Sequence, residues 1–212
     1  MGVPTKPLTT THFALLCLLS VRRYGAYDVV KEMERSVGHV WPRAQSNVYA
    51  DLKRLAGEGL ATASVEADGG RTRTVYDITP AGRRVLREWL ETPGAPASFE
   101  CEALVKLGFV THTSKAAALA QVEVLASVAE QRLDQGRRLA REHIAPDGPT
   151  PERLHVNAVM WRFLWEQHQA TARWATWARR EISAWPDTAD SPAQRRRGRR
   201  ALRDALASEQ GA

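Results

Sequence analysis

Cysteine is scarce in this chain of 212 residues, which contains only Cys17 and Cys101. Two cysteines cannot form the framework of a disulfide-rich extracellular fold, so a reducing compartment, the cytoplasm, is the simplest interpretation. Both residues lie inside apolar segments, where free cysteine is usually buried. A redox-sensing pair of thiols is the alternative, and it is the rarer role for cysteines in such segments.

Long hydrophobic runs are also missing. The apolar run from Phe13 to Leu19 has seven residues, whereas a membrane-spanning helix needs about 20. The run is followed by Ser20-Val21-Arg22-Arg23 instead of the small residues of a signal-peptide cleavage site. We therefore expect neither a membrane span nor a signal peptide in this segment.

Residue patterns typical of enzymes are absent too. The chain has no Gly-x-Ser-x-Gly and no glycine-rich phosphate loop, and its paired glycines, Gly69 and Gly70, belong to a turn signal. No two histidines stand at i and i+4, and none joins cysteines or carboxylates at metal-ligand spacing. The histidines are His12, His39, His112, His143, His155 and His168. We predict that the protein is not an enzyme and holds no metal or cofactor.

Positive charge is in excess. The net charge is +6 and the pI is near 9.7, which favours an anionic partner. Residues 1–98 contribute +3, residues 99–186 contribute +1 and residues 187–212 contribute +2. With 43% hydrophobic residues, the chain is long enough to bury the cores of one or two globular domains.

The stretch from Trp41 to Leu60 predicts a helix with two different faces. Val48, Leu52 and Leu55 share one side at helical spacing and form a core face. Gly57 and Gly59 are expected to end the helix, since positive φ costs glycine little. The opposite side gathers small, polar and cationic residues suited to a phosphate-lined groove: Arg43, Ser46, Asn47, Tyr49, Ala50, Lys53 and Arg54.

A β-hairpin is predicted directly after this helix. Residues 61–66 and 71–78 have strand character, and Ala67-Asp68-Gly69-Gly70 between them is a strong turn signal. Arg71 and Arg73 lie near the tip, where arginine can enter a minor groove or contact phosphates. Thr79 and Pro80 then predict the capped start of another helix.

The order of elements in the first 90 residues predicts a winged helix-turn-helix. Thr9 or Thr10 caps a central helix that runs to about Val21, Gly25 breaks the chain, and a second helix spans 26–36 with Val29, Val30 and Met33 facing inward. The recognition helix, the hairpin and the last helix follow in the order of that fold. The predicted fold class is therefore mainly α with a small β-hairpin wing.

Residues 11–90 resemble the DNA-binding domain of the phenolic acid decarboxylase repressor (PadR) family of bacterial transcription regulators. The most specific motif is RTRTVYDITPAGRRVLREWL, and NVYADLKRLAGEGL supports it. The family signature falls on Arg73, Tyr76, Thr79, Gly82, Leu86, Trp89 and Leu90. The resemblance assigns the family's helix tyrosine to Tyr49 and its wing arginine to Arg71 or Arg73. Two departures are an extra Ala26 after Gly25, and Asn47 where glutamine or threonine is frequent.

The C-terminal half predicts long helices after a linker at 92–98. A short apolar helix at 99–110 precedes a long helix from Thr113 or Ser114 to about His143, whose stripe of small residues suits close helix packing. A last helix runs from about Glu152 to Trp185, with Thr150 as its cap and Pro151 at its first position. The stripe comprises Leu119, Val122, Ala126, Ala129, Leu133, Gly136 and Ala140.

These long helices resemble the C-terminal dimerisation domain of the longer, virulence-activator-like branch of the family. Two helices with apolar residues on more than one side cannot bury them against each other alone, so we predict a homodimer with coiled-coil packing. A single intramolecular bundle would need more helices than remain. The predicted domains are 1–91 for DNA binding, 99–186 for dimerisation and a possible effector, and 187–212 as a basic flexible tail.

Trp161, Trp165 and His168 share one face of the last helix. The resemblance includes regulators that stack flat aromatic ligands near the dimer interface, so a small aromatic effector site at these residues is a hypothesis. Tryptophan at helical spacing more often fills the seam between helices. For the arginine-rich tail, a solvated, partly disordered or helical segment is the default interpretation, and an arm that binds the DNA backbone is the functional alternative.

Together these patterns predict a cytoplasmic, homodimeric transcription regulator that binds an inverted repeat in double-stranded DNA. Repression is favoured over activation, because occluding an operator needs only binding. A transcriptional activator without ligand control is one alternative. The other is a winged helix that binds protein, which would carry acidic or apolar residues on the outer face of residues 43–54 instead of the basic and polar ones present.

Overall fold

A computed structural model of the protein describes residues 7–41, 45–68 and 71–208. The chain forms two compact units, Met1–Ala97 and Ser98–Ala212. The described residues are mainly helical and include one three-stranded antiparallel sheet. The predicted class, a winged helix-turn-helix followed by long helices, is confirmed. None of the described helices is long and apolar enough to cross a membrane.

The first unit is built around its first helix. Leu15, Leu16 and Leu19 of this helix have no exposed surface, because side chains of the other elements surround it on almost every side. In chain order the elements are α1 (Thr10–Val21), β1 (Tyr24–Gly25), α2 (Ala26–Arg35), α3 (Gln45–Gly57), β2 (Ala61–Asp68), β3 (Arg71–Ile78) and α4 (Pro80–Leu90). The predicted central position of α1 is confirmed.

The predicted core face of α3 is buried as expected, with Val48, Leu52 and Leu55 at most 2% exposed. The helix ends in a Schellman motif, in which the Leu60 N–H donates to the Leu55 carbonyl at 2.9 Å and the Gly59 N–H to the Ala56 carbonyl at 3.1 Å. Gly59 has φ of +71°. Gly57, in contrast, is an ordinary helical residue, so the prediction of positive φ there is wrong.

A third strand was not expected. Tyr24 and Gly25 form β1, which pairs with β3 through Tyr24 opposite Tyr76 and Gly25 opposite Val75. Gly25 does separate α1 from α2, as predicted, but the prediction missed that it also pairs with Val75 in the sheet. Two residues are too few to show strand periodicity, and the pairing arises because Tyr24 and Tyr76 are both buried in the same core.

The start of α4 is tied to the end of α3 through Thr79. The Thr79 hydroxyl accepts from the Gly82 N–H at 3.0 Å and donates to the Gly59 carbonyl at 2.7 Å. Pro80 occupies the first helical turn, where its missing N–H is not needed. The predicted cap is confirmed, and the threonine also fixes α4 to the end of α3.

The second unit contains α5 (Glu102–Gly108), α6 (Lys115–Ile144), α7 (Leu154–Ser183) and α8 (Pro192–Ser208). The first of these helices is shorter than the predicted 99–110. The Ser114 hydroxyl caps α6 by accepting from the Ala117 N–H at 3.2 Å. Thr150 does not cap α7: it has φ of +50° and precedes a 3₁₀ turn, and α7 begins at Leu154.

Helices α6 and α7 pack along the predicted stripe of small residues. Val122, Ala126, Ala129 and Leu133 of α6 are at most 7% exposed, and Ala175, Ala178 and Ile182 of α7 are buried as well. Side chains this small let the two helix axes approach closely. At one end, the Lys115 ammonium donates to the Ser183 carbonyl at 2.7 Å and the Trp185 carbonyl at 2.8 Å, which satisfies carbonyls at the C-terminus of α7.

We predict that Gly82→Ala destabilises the first unit by roughly 1–3 kcal/mol, because a Cβ at this position would lie 2.1 Å from the Leu60 carbonyl oxygen. Urea unfolding followed by circular dichroism measures the change. Gly57→Ala is the matched control, since its Cβ would meet nothing within 4 Å and helical alanine is favoured by up to about 1 kcal/mol. Equal stability of both variants would show that the contact at Gly82 is looser than described.

Candidate DNA-binding site

The outward face of α3 presents small, polar and cationic side chains. Asn47, Tyr49, Ala50 and Lys53 are exposed, and Tyr49 is 39% exposed. This face is directed outward because Val48, Leu52 and Leu55 hold the other side against the core. Of the other predicted residues, Arg43 and the side chains of Ser46 and Arg71 lie outside what the structure describes.

Arg54 differs from the rest of the predicted set. Its Nε donates to the Glu58 carboxylate at 2.7 Å, and its guanidinium lies 3.3 Å from the His12 ring and 3.5 Å from the Pro7 carbonyl. The side chain is only 25% exposed. A contact between Arg54 and a phosphate would compete with these interactions, so Arg54 is better placed to hold α3 against α1 than to extend into a groove.

His12 is the residue of this site that the sequence did not reveal. The ring is 3% exposed, its Nδ1 accepts from the Thr9 N–H at 3.0 Å, and its Nε2 lies 3.4 Å from the Asp51 carboxylate. Burial lowers the pKa of His12, although the Asp51 carboxylate opposes the shift. The ring therefore caps the start of α1 and lies against Asp51 and Arg54 of α3. The signal in the sequence was its place three residues after the capping Thr9.

The inward position of Asp51 matters for the outer face of α3. A carboxylate on a recognition helix would repel phosphates if it pointed outward. Here Asp51 is 22% exposed and is directed toward His12. The one carboxylate among residues 47–54 is thus drawn to the α1 side, which leaves the exposed centre of the face without negative charge.

The wing is braced against the start of α2. Arg73 of β3 lies opposite Glu66 in the strand register, and its guanidinium is 3.8 Å from the Asp28 carboxylate. Glu66 in turn pairs with Arg23. About half of the Arg73 side chain is exposed, so the predicted wing arginine is accessible while its neighbours restrict its position.

An open groove of about 690 Å³ separates the outer face of the wing from α2. Cations outnumber carboxylates along it, and two of the cations lie over aromatic rings, Arg22 over Tyr24 and Lys31 over Tyr27, each at 4.6 Å. The charged lining comprises Arg22, Arg23, Lys31, Arg35 and Arg73 with Asp28, Glu32 and Glu66. The sequence did not indicate this groove, because it forms where β1 brings residues 22–25 beside β3.

Trp161 and Trp165 lie in the seam between α6 and α7. Their rings stack with centroids 5.0 Å apart, and the Trp161 indole N–H donates to the Gly136 carbonyl at 3.0 Å. A Cβ on Gly136 would be 3.4 Å from the Trp165 ring. The Arg137 guanidinium lies 5.5 Å from the centroid of the Trp165 ring. His168, which follows Trp165 along α7, is half-buried. The two indoles thus fill the space that glycine leaves.

A third helix whose exposed face holds Asn47, Tyr49, Ala50 and Lys53, beside an arginine-bearing β-ribbon, is the architecture of a winged helix-turn-helix domain. The sequence profile of the PadR-like family of transcriptional regulators matches residues 15–88. That of the virulence activator alpha C-terminal family matches residues 101–183. The first unit therefore carries a PadR-like transcriptional regulator domain, and the second carries a virulence activator alpha C-terminal domain. The predicted resemblance is confirmed in both halves.

Relatives of known identity are similar over different parts of the chain. The negative transcriptional regulator PadR of Bacillus subtilis is 27% identical over 105 residues, 49% of this chain and 58% of that protein. Its structure in complex with operator DNA has a TM-score of 0.70 at 19% identity and covers 82% of this chain and 99% of that chain. A structure of the same protein in complex with p-coumaric acid has a TM-score of 0.64 at 19% identity, covering 85% and 99%.

The virulence activator AphA of Vibrio cholerae is similar over both units. Its structure has a TM-score of 0.63 at 25% identity and covers 82% of this chain and 98% of that chain. At these identities the solved structures share the fold with this chain, a winged helix joined to long helices. The names of the relatives include both a negative regulator and an activator.

Proposed function

We propose that the protein is a homodimeric repressor that binds an inverted repeat in operator DNA through α3 and the wing. The observation that carries this proposal is the exposed face of α3, which holds Asn47, Tyr49, Ala50 and Lys53 while Asp51 is turned inward. Such a face suits the acceptor-rich major groove and its phosphates. B. subtilis PadR, which has the same fold, has been solved in complex with operator DNA.

The proposed contacts fall into two groups. Ser46, Asn47 and Ala50 have side chains short enough to approach base edges, so we assign sequence recognition to them. The second group would contact phosphates or enter the minor groove, which positions the protein without specifying sequence. Its members are Arg43, Tyr49, Lys53, Arg54, Arg71 and Arg73, with Arg54 the least available because Glu58 and His12 hold it.

Two variants, Arg73→Ala and Asn47→Ala, test the division into phosphate contacts and base contacts. We expect Arg73→Ala to weaken binding to all sequences and to reduce the salt slope by about one. Asn47→Ala should change base preference at one position per half-site, at a cost of about 1–3 kcal/mol. The measurement is fluorescence anisotropy with the DNA upstream of the protein's own gene and with unrelated DNA, across a salt series.

Arg87→Ala is the charge-matched control for Arg73→Ala, because Arg87 is an exposed arginine on α4 of the same unit. Its effect on the salt slope should be small. Uniform losses for both Arg73→Ala and Asn47→Ala would contradict the division of roles. Wild-type protein that binds both DNAs weakly and equally would favour a winged helix that contacts protein instead.

Dimerisation is proposed from the outer face of α7. Val159, Phe163, Ala170 and Trp177 follow one another at helical spacing and are exposed, Val159 by 75% and Phe163 by 58%. The stripe runs from Val159 to Trp177, 19 residues and about 27 Å of helix. The opposite face of α7 is already packed against α6, so this stripe would be buried by the same face of a second copy. A two-fold dimer presents two recognition helices to an inverted repeat.

We predict that Phe163→Glu shifts the protein from dimer to monomer, because a carboxylate in an apolar interface would be buried without a partner. Light scattering after size-exclusion chromatography gives the mass. Thr176→Glu adds the same charge at an exposed position about 100° around α7 from the stripe and should leave the dimer intact. A dimer that survives Phe163→Glu at micromolar concentration would show that another surface forms the interface.

Repression, rather than activation, is the proposed sign of regulation, since it requires only that bound protein occlude a promoter. We also propose that the protein is cytoplasmic and not an enzyme, because a transcription regulator of this family acts on the chromosome. A reporter under the upstream promoter decides the sign. Higher expression after deletion of the gene supports repression, and lower expression identifies an activator.

A small aromatic effector remains a proposal at Trp161, Trp165 and His168. B. subtilis PadR has been solved with p-coumaric acid. Here a ligand would have to displace packing at Gly136 and the hydrogen bond of Trp161. We expect planar phenolic acids to quench tryptophan fluorescence in wild type but not in Trp165→Ala if the site exists. Absence of saturable quenching would leave the tryptophans as packing residues.

A further inference from the structure

Helix α8 lies beyond both regions that match known families, residues 15–88 and 101–183. It spans Pro192–Ser208 and contains six arginines between positions 195 and 203. They are Arg195, Arg196, Arg197, Arg199, Arg200 and Arg203. The segment predicted as a basic tail is thus a helix over its described residues, so the charges have a fixed angular arrangement.

The start of α8 is held in place. The Ser191 hydroxyl accepts from the Gln194 N–H at 3.1 Å, and the Gln194 side chain donates to the Asp187 carbonyl at 3.0 Å. In the segment before it, the Thr188 hydroxyl donates to the Thr113 carbonyl at 2.6 Å. The connection between α7 and α8 is therefore tied to the beginning of α6.

The six arginines divide into two groups. Three form ion pairs within the protein: Arg195 with Asp190 at 2.6 Å, Arg197 with Glu181 at 3.8 Å and Arg200 with Asp204 at 3.7 Å. The hydrogen bond from Arg195 lowers the pKa of Asp190, which keeps that carboxylate ionised. The pairs of Arg195 and Arg197 connect the helix to residues before it, the pair of Arg200 lies within the helix, and together they neutralise half of its arginines.

The other three arginines share one face of the helix. Arg196, Arg199 and Arg203 stand at i, i+3 and i+7, so they lie within about 60° of one another and span about 10 Å. All three are exposed, and among the described residues no carboxylate lies within 4 Å of their guanidinium groups. An uncompensated row of guanidinium groups suits an extended polyanion, because arginine binds phosphate through two parallel hydrogen bonds.

We propose that α8 is a second DNA-contact element, in which Arg196, Arg199 and Arg203 bind the phosphodiester backbone independently of sequence. The proposal rests on the proposed DNA binding by α3 and the wing. DNA is favoured over an anionic membrane because the exposed large apolar side chains of α8 are only two, Leu202 and Leu206. A helix that inserts into a membrane interface needs a longer apolar face.

The test is the triple variant R196Q/R199Q/R203Q in the full chain. If each arginine neutralises one phosphate, its loss reduces the salt slope by about 0.9, so three losses reduce it by about 2.7 per engaged protomer. If one protomer is engaged, a four-fold rise in salt should then weaken the variant about 40-fold less than wild type. The loss of affinity at low salt should be equal for upstream and unrelated DNA, because phosphate contacts carry no sequence information.

The matched control is R138Q/R141Q/R153Q, which removes the same charge from exposed arginines of the second unit outside α8. A smaller salt slope in the α8 variant alone, with unchanged circular dichroism, supports the proposal. Equal slopes for wild type and the α8 variant overturn it. If the α8 variant keeps its slope but no longer sediments with phosphatidylserine vesicles, the helix binds membranes and the proposal is wrong. Wild-type protein that binds no DNA at all defeats the proposed function itself.

Discussion

The burial of one side of α3 against α1 is the constraint on which the rest of the first unit depends. Leu52 and Leu55 have no exposed surface, and the leucines of α1 enclose them. Because a helix has a fixed period, anchoring one side fixes the direction of the other. The polar contacts of His12 and Asp51 add to this anchor, since they remove the carboxylate from the outer face. The exposed polar face of α3, which is proposed to contact DNA, is thus a consequence of core packing.

In the second unit, too, the packing of one helix face determines which face stays exposed, but the packed side chains are smaller. Alanines and Gly136 on α6 allow α7 to approach closely, and Trp161 and Trp165 fill the space above the glycine. That packing satisfies one side of α7 and leaves Val159 and Phe163 exposed on the other. Because α7 has two apolar sides and only one of them packs against α6, the other side stays exposed. This exposed apolar side is the basis of the proposed homodimer.

The position of the wing arginine is restricted by several ion pairs that are individually weak. The ion pairs of Arg73 with Asp28 and of Arg23 with Glu66 are partly exposed, and each such pair contributes little stability. Their effect is to limit where the Arg73 guanidinium can lie relative to α2. Strand β1 makes this possible, because it places residues 22–25 beside β3. The positions of α2 and the wing are therefore linked through the sheet.

The sequence predicted the helix periodicity, the Thr79-Pro80 cap and the glycine-flanked hairpin, because these features depend on neighbours within about four residues. They were enough to predict the winged helix, the core face of α3 and the small-residue seam of α6. The sequence did not predict strand β1, the turn at Thr150, the inward position of Arg54 or the His12–Asp51 contact. These depend on side chains distant in sequence, such as Tyr24 with Tyr76 and His12 with Asp51, which only packing brings together. The local sequence thus specified which faces exist, and the tertiary contacts specified which of their charges are available to a partner.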